Sequence, residues 1–270
     1  MNAPSDRSLI LFNRKIFIFS MLLLLLPAIN SSIAFTQSDD LLLKKGINLY
    51  LEAKDIFIVA NSKNDEALNI LEESAGFFRT VEDNETKNYW LAKTAYLMGI
   101  IEKDRNNHEK AEEHFVSGKE LILKSLQYGD FSDGYRLLAD VEGQLITYRD
   151  ILYMAKYGPP IKNMITKAIK LDPHNVMAYL SLAMYYRDAP LIAGGDLKKS
   201  KSVLKEMIAL TSHDKMDLFS LYIWIDTAWT NSDNNREKVS AYISLLDLFS
   251  NKSDIIPMAE RIERKYTNSK

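Results

Sequence analysis

Apolar and small residues return at offsets of four, seven and ten in five separate stretches of the chain. The sets are Ala67, Leu71, Ser74 and Phe77; Ala111, Phe115, Gly118 and Leu121; Ile161, Ile165, Ala168 and Leu171; Ser200, Leu204, Met207 and Leu210; and Val239, Ile243, Leu246 and Phe249. Steps of this size land near whole turns of 3.6 residues, so each set is expected to form one apolar stripe on an α-helix. A second apolar-periodic stretch of helix length precedes each stripe, and turn chemistry separates the stretches. Asp39-Asp40, Asn64-Asp65, Asn84 and Asn106-Asn107 offer caps, Gly129 to Asp133 breaks the chain, and Asp172-Pro173 stops the third stripe. A helix is predicted from about Gly134 to Lys156, with Gly158-Pro159-Pro160 ending it and opening the third stripe, because proline is tolerated in a first helical turn. Further helices are expected over Val176 to Arg187, Met216 to Thr230 and Ile255 to Tyr266, about eleven in all. No segment alternates like a strand between hairpin turns. Antiparallel helix pairs of this size bury both apolar faces only by stacking, so the expected fold is all-α: a helical-hairpin solenoid of about five pairs with a closing C-terminal helix.

Two of the repeats resemble the tetratricopeptide family. Gly99, Ala111, Phe115 and Gly118 stand at the offsets of that family's small, small, aromatic and small residues. Ala168, Leu171 and Pro173 look like the end of one unit, and Tyr179, Leu182, Ala183 and Tyr186 like the aromatic, leucine, small and aromatic positions of the next. Small residues at these places let two helices cross closely while large ones fill the gaps. The stripes begin 39 to 50 residues apart, longer than the family's 34-residue unit. The extra length includes Asp188-Ala189-Pro190-Leu191-Ile192-Ala193-Gly194-Gly195-Asp196, which resembles an insertion of one subfamily, the periplasmic T component of tripartite ATP-independent (TRAP) transporters. The resemblance covers about residues 40 to 265 and implies an accessory binding protein that engages a transporter's periplasmic solute-binding subunit, with a groove or passage for an apolar or organic-acid ligand. In such solenoids the first helix of each pair lines the concave face. That register nominates Tyr96, Ile100, Lys103, Met177, Leu180, Met184, Arg187, Met216, Phe219 and Ile223 as groove residues.

The N-terminus adds an address. Arg7, Arg14 and Lys15 precede an apolar run from Ile16 to Ile29, and Ser32-Ile33-Ala34 offers the small residues a signal peptidase reads. Residues 1–34 are therefore expected to be a signal peptide, with export to the periplasm and a solenoid domain over 35–270; the alternative is a retained N-terminal membrane anchor. The chain has no cysteine, which removes disulfides, thiol catalysis, Cys-ligated zinc and lipidation at a lipobox. The T-component group commonly carries such a lipid, so the chain departs from it there. Residues 1–34 hold three basic side chains and one acidic one, so removing them changes the net charge from −2 to −4. A mildly acidic chain gives no reason to expect nucleic acid as a partner.

Several short motifs invite sharper readings and do not sustain them. His108 and His114 flank a Glu-rich turn, but a zinc-protease helix needs its histidines four apart on one face, and these are six apart. No metal and no cofactor is expected. Gly194-Gly195-Asp196 reads as a turn and helix N-cap. No phosphate loop, Ser-His-Asp arrangement or nucleophile elbow is visible, so the protein is expected not to be an enzyme. Pro190, Leu191 and Ile192 form an apolar segment that either tucks over its own helix pair or stands out as a contact surface for self-association or a partner. These expectations converge on a non-catalytic exported binding protein of T-component type; the alternative is a general envelope scaffold for protein–protein interaction.

Overall fold

A computed structural model describes residues 38–58 and 63–210, and every regular element among them is helical. Helix α1 occupies residues 38–58. It is followed by α2 (Asn64–Thr80), α3 (Glu85–Asp104), α4 (His108–Leu126), α5 (Ser132–Ile146), α6 (Ile151–Leu171), α7 (Val176–Asp188), a 3₁₀ turn η1 (Leu191–Ala193) and α8 (Leu197–Leu210). Consecutive helices pack as pairs, α3 on α4, α5 on α6 and α7 on α8, and each pair stacks on the next. α5 also touches α3 and α7, so these three first helices share one side of the stack. The expected signal segment 1–34, the fifth stripe, the 216–230 and 255–266 helices, and Met216, Phe219 and Ile223 lie outside the described residues. Among the described residues no helix is long and apolar enough to cross a membrane.

The stripes form the core, with one correction. The first three members of each described set are buried, including Ala67, Leu71 and Ser74, Ala111 and Phe115, Ile165 and Ala168, and Ser200 and Met207. The fourth member is not: Phe77, Leu121 and Leu210 are half-buried and Leu171 is exposed. Ten residues turn a helix about 80° short of whole turns, whereas eleven overshoot by only about 20°. Accordingly Phe78 and Ile122, at offset eleven, are fully buried.

Close helix crossing explains the small residues. A Cβ on Gly99 would lie 2.5 Å from the Phe115 ring, and one on Gly118 would sit 3.5 Å from the Ala92 carbonyl and 3.7 Å from the Ala95 Cβ. Buried hydroxyls bridge this and two other helix pairs: Ser125 Oγ donates to the Glu85 carbonyl (2.9 Å) between α4 and α3, Ser74 Oγ to that of Gly46 (2.7 Å) between α2 and α1, and Ser200 Oγ to that of Ala183 (2.8 Å) between α8 and α7. Each donor binds across a helix pair, which fixes its register as well as satisfying a polar group.

Of the cap positions read from the sequence, Asn84 and Asp196 make the side-chain bond; Lys63 rather than Asn64 or Asp65 stands at the cap of α2, and neither it nor Asn107 before α4 makes one. Asn84 accepts from the Lys87 amide (2.8 Å), Asn175 from that of Ala178 (3.1 Å) and Asp196 from those of Lys198 (3.0 Å) and Lys199 (3.1 Å). Asn106 takes a left-handed conformation (φ 61°) and closes α3 as glycine commonly does. One boundary differs from expectation. α5 ends at Ile146, Asp150 caps α6 by accepting from the Tyr153 amide (2.8 Å), and α6 continues through Gly158, Pro159 and Pro160. The prolines cost two helical donors, and the buried stripe of Ile161, Ile165 and Ala168 holds the helix together beyond them.

Candidate binding site

The inner face of α5 carries Asp133, Arg136, Asp140 and Gln144, spaced three or four residues apart and therefore stacked along one side of the helix. Arg136 donates from Nη1 to Asp140 Oδ2 (2.7 Å) and from Nε to Asp133 Oδ1 (3.1 Å). α7 supplies the remaining partners: Ser181 Oγ donates to Asp140 Oδ1 (2.6 Å), and Asn175 Nδ2, in the turn before it, donates to Asp133 Oδ1 (3.1 Å). From α3, Tyr96 borders the same space as Gln144, whose Oε1 accepts from Lys103 Nζ (2.8 Å). A polar seam thus runs between α3, α5 and α7 inside an otherwise apolar stack.

Burial sets the protonation of the seam. It pushes the Asp140 carboxyl above its ordinary range, against the pull of Arg136 and the Ser181 hydrogen bond. The same burial opposes the Arg136 cation, but Asp140 and Asp133 outweigh it and raise its pKa further, so the guanidinium stays charged. At Asp133, burial raises the carboxyl while Arg136 and Asn175 lower it more, leaving it below the usual carboxylate range. The Tyr89 phenol, beside this cluster, is pushed up to about 12 by burial, and burial likewise raises Tyr96.

Beyond Asp140 the seam opens into a cavity of about 130 Å³ between α5, α6 and α7. Ala139, Ile146, Met154, Ile161, Ile165 and Met184 make most of the wall apolar. Asp140, Gln144, Ser181, Tyr96 and Tyr185 contribute polar side chains, and Asp188, Ala189, Pro190 and Ala193 close the far side. The closing segment is held by its backbone. A Cβ on Gly195 would collide with the Ala189 carbonyl, Gly194 sits at φ 95°, and the Tyr185 hydroxyl donates to the Ala193 carbonyl. Gly158 admits the segment against α6, since a Cβ there would stand 3.2 Å from that of Ala193.

Of the ten groove residues read from the sequence, the structure brings Tyr96 and Met184 to this cavity. Lys103 is tied to its rim through Gln144. Leu180 is fully buried in the core, Ile100 and Met177 are half-buried against it, and Arg187 pairs with Asp188 at 2.5 Å. Pro190 lines the cavity, while Leu191 and Ile192 stand out from the surface. His108 packs its ring on Tyr148 with centroids 6.2 Å apart, and His114 is half-buried on another part of α4. Asp140, Ser181 and Gln144 were not singled out by the sequence, where they look like ordinary helix-surface residues.

These elements define an all-α protein of stacked helix pairs with a mainly apolar cavity on its inner helices. Comparison with protein-family models and with curated proteins finds no match.

Proposed function

We propose that the chain is a non-catalytic exported binding protein of tetratricopeptide type, serving as an accessory subunit that engages the solute-binding protein of a TRAP-type transporter. One observation carries this reading: the segment whose sequence resembles the T-component insertion is the segment that walls the cavity, through Asp188, Ala189, Pro190 and Ala193. The close contacts of Gly99 with Phe115 and of Gly118 with Ala92 and Ala95 add support, because they follow the tetratricopeptide pattern of small and large residues. Between the two ligand chemistries that the resemblance implies, the lining favours the apolar one. Its two carboxylates, Asp140 and Asp188, are each paired with an arginine, and no lysine or arginine lines the space, so an organic acid would find no cation there.

The test is affinity capture of the protein after mild crosslinking in its own cell envelope, with partners identified by mass spectrometry. Enrichment of one solute-binding protein is the expected result. Enrichment of unrelated envelope proteins without such a subunit would reject the transport role and leave a general scaffold.

A further inference from the structure

The N-terminal end of α6 extends past the end of α7. The helices have 21 and 13 residues and run antiparallel from the turn at Asp172 to Asn175. At 1.5 Å per residue the difference leaves about 12 Å of α6 beyond the end of α7. η1 covers the inner side of this overhang at Gly158 and leaves an outer side bare. Leu191 and Ile192 on η1 are 87% and 70% exposed, and Ile151 and Leu152 on α6 are 59% and 75% exposed. Two tyrosines of the same overhang, Tyr153 and Tyr157, are also exposed, with ring centroids 4.2 Å apart.

Lysines surround this apolar edge. Lys156 Nζ lies 5.0 Å from the Tyr157 ring centroid, while Lys162 from α6 and Lys199 from α8 meet over Tyr186 at 5.2 and 5.8 Å. Segments 150–162 and 186–201 together hold six Lys and Arg against three Asp, a local excess of three positive charges on a chain whose net charge is −2. Asp188 and Asp196 are paired with Arg187 and Lys199, and Asp150 caps α6.

We propose that this edge docks peripherally on an anionic lipid surface. Leu191 and Ile192 enter the boundary between headgroups and acyl chains beside Ile151 and Leu152, and the lysines meet lipid phosphates. The pattern suits a bilayer better than a second copy of the chain. A two-fold contact would place this patch on itself and set lysine against lysine.

The absence of cysteine makes the test direct, because a single Ile192→Cys substitution gives one labelling site in the full chain. The label is the environment-sensitive fluorophore NBD, and Glu120→Cys on the exposed side of α4 is the control. Any attachment through the N-terminal apolar run affects both labelled proteins equally. With vesicles of phosphatidylcholine and about one-third phosphatidylglycerol, the label at 192 should shift to the blue and be quenched by shallow doxyl lipids, while the control does not. High salt, or Lys198→Gln with Lys199→Gln, should reduce the 192 response about tenfold. No response at 192, or an equal response on phosphatidylcholine alone, overturns the proposal. A concentration-dependent shift without vesicles overturns it in favour of self-association, and a shift that requires added envelope protein overturns it in favour of a protein partner.

Discussion

His114 shows how a single residue ties the helix pairs to pH. Its imidazole is half-buried on α4, and burial lowers its pKa against the opposing charges of Glu102 on α3, Glu113 beside it and Glu72 on α2. A histidine whose folded pKa is depressed binds fewer protons folded than unfolded, so stability is complete above the unfolded value of about 6.5 and falls as the pH drops toward the folded value. The urea midpoint of the wild-type protein should therefore decline between pH 7.5 and pH 5.5, and His114→Gln should decline less over the same interval. Parallel declines would show that the imidazole does not carry the effect. The sequence revealed little of this. It showed two histidines six apart and excluded a zinc helix, but the environment of His114 depends on carboxylates from three helices.

At the scale of the element, helix periodicity was legible and its phase was not fully so. Three members of each described stripe fall in the core, yet the fourth drifts to the flank, because ten residues leave the apolar direction and eleven return to it. Ile122 is fully buried and Leu121 beside it half-buried, so the two form a controlled pair on one turn of α4. Ile122→Ala should cost about 2–4 kcal/mol and Leu121→Ala roughly 1 kcal/mol or less, read from urea unfolding midpoints. Equal losses would return the stripe to its original phase. The α5–α6 boundary was misread for a related reason. Leu145, Ile146, Ile151 and Leu152 continue an apolar pattern across the break, and the prolines advertise a stop that packing overrides, while the actual signal is one capping side chain, Asp150.

For the molecule as a whole, the stack of pairs followed from sequence, whereas the cavity needed tertiary structure. Asp140 and Ser181 lie 41 residues apart and meet only because α5 and α7 share the inner side of the stack. On separate helices each passes for a solvated residue. One position nevertheless links chain to cavity. Gly143 sits inside α5 and lines the space, and a Cβ added there would meet no heavy atom within 4 Å. Glycine in a helix interior costs about 0.5–1 kcal/mol relative to alanine, and no crossing helix requires it here, so the open volume is what its small size preserves. Gly143→Ala should raise the thermal midpoint, and Gly143→Leu should keep the fold while filling the cavity. If recognition uses that volume, the leucine variant loses the crosslinked partner that the alanine variant retains. Full partner recovery with Gly143→Leu would move recognition off the cavity and onto the outer surface of the helix pairs.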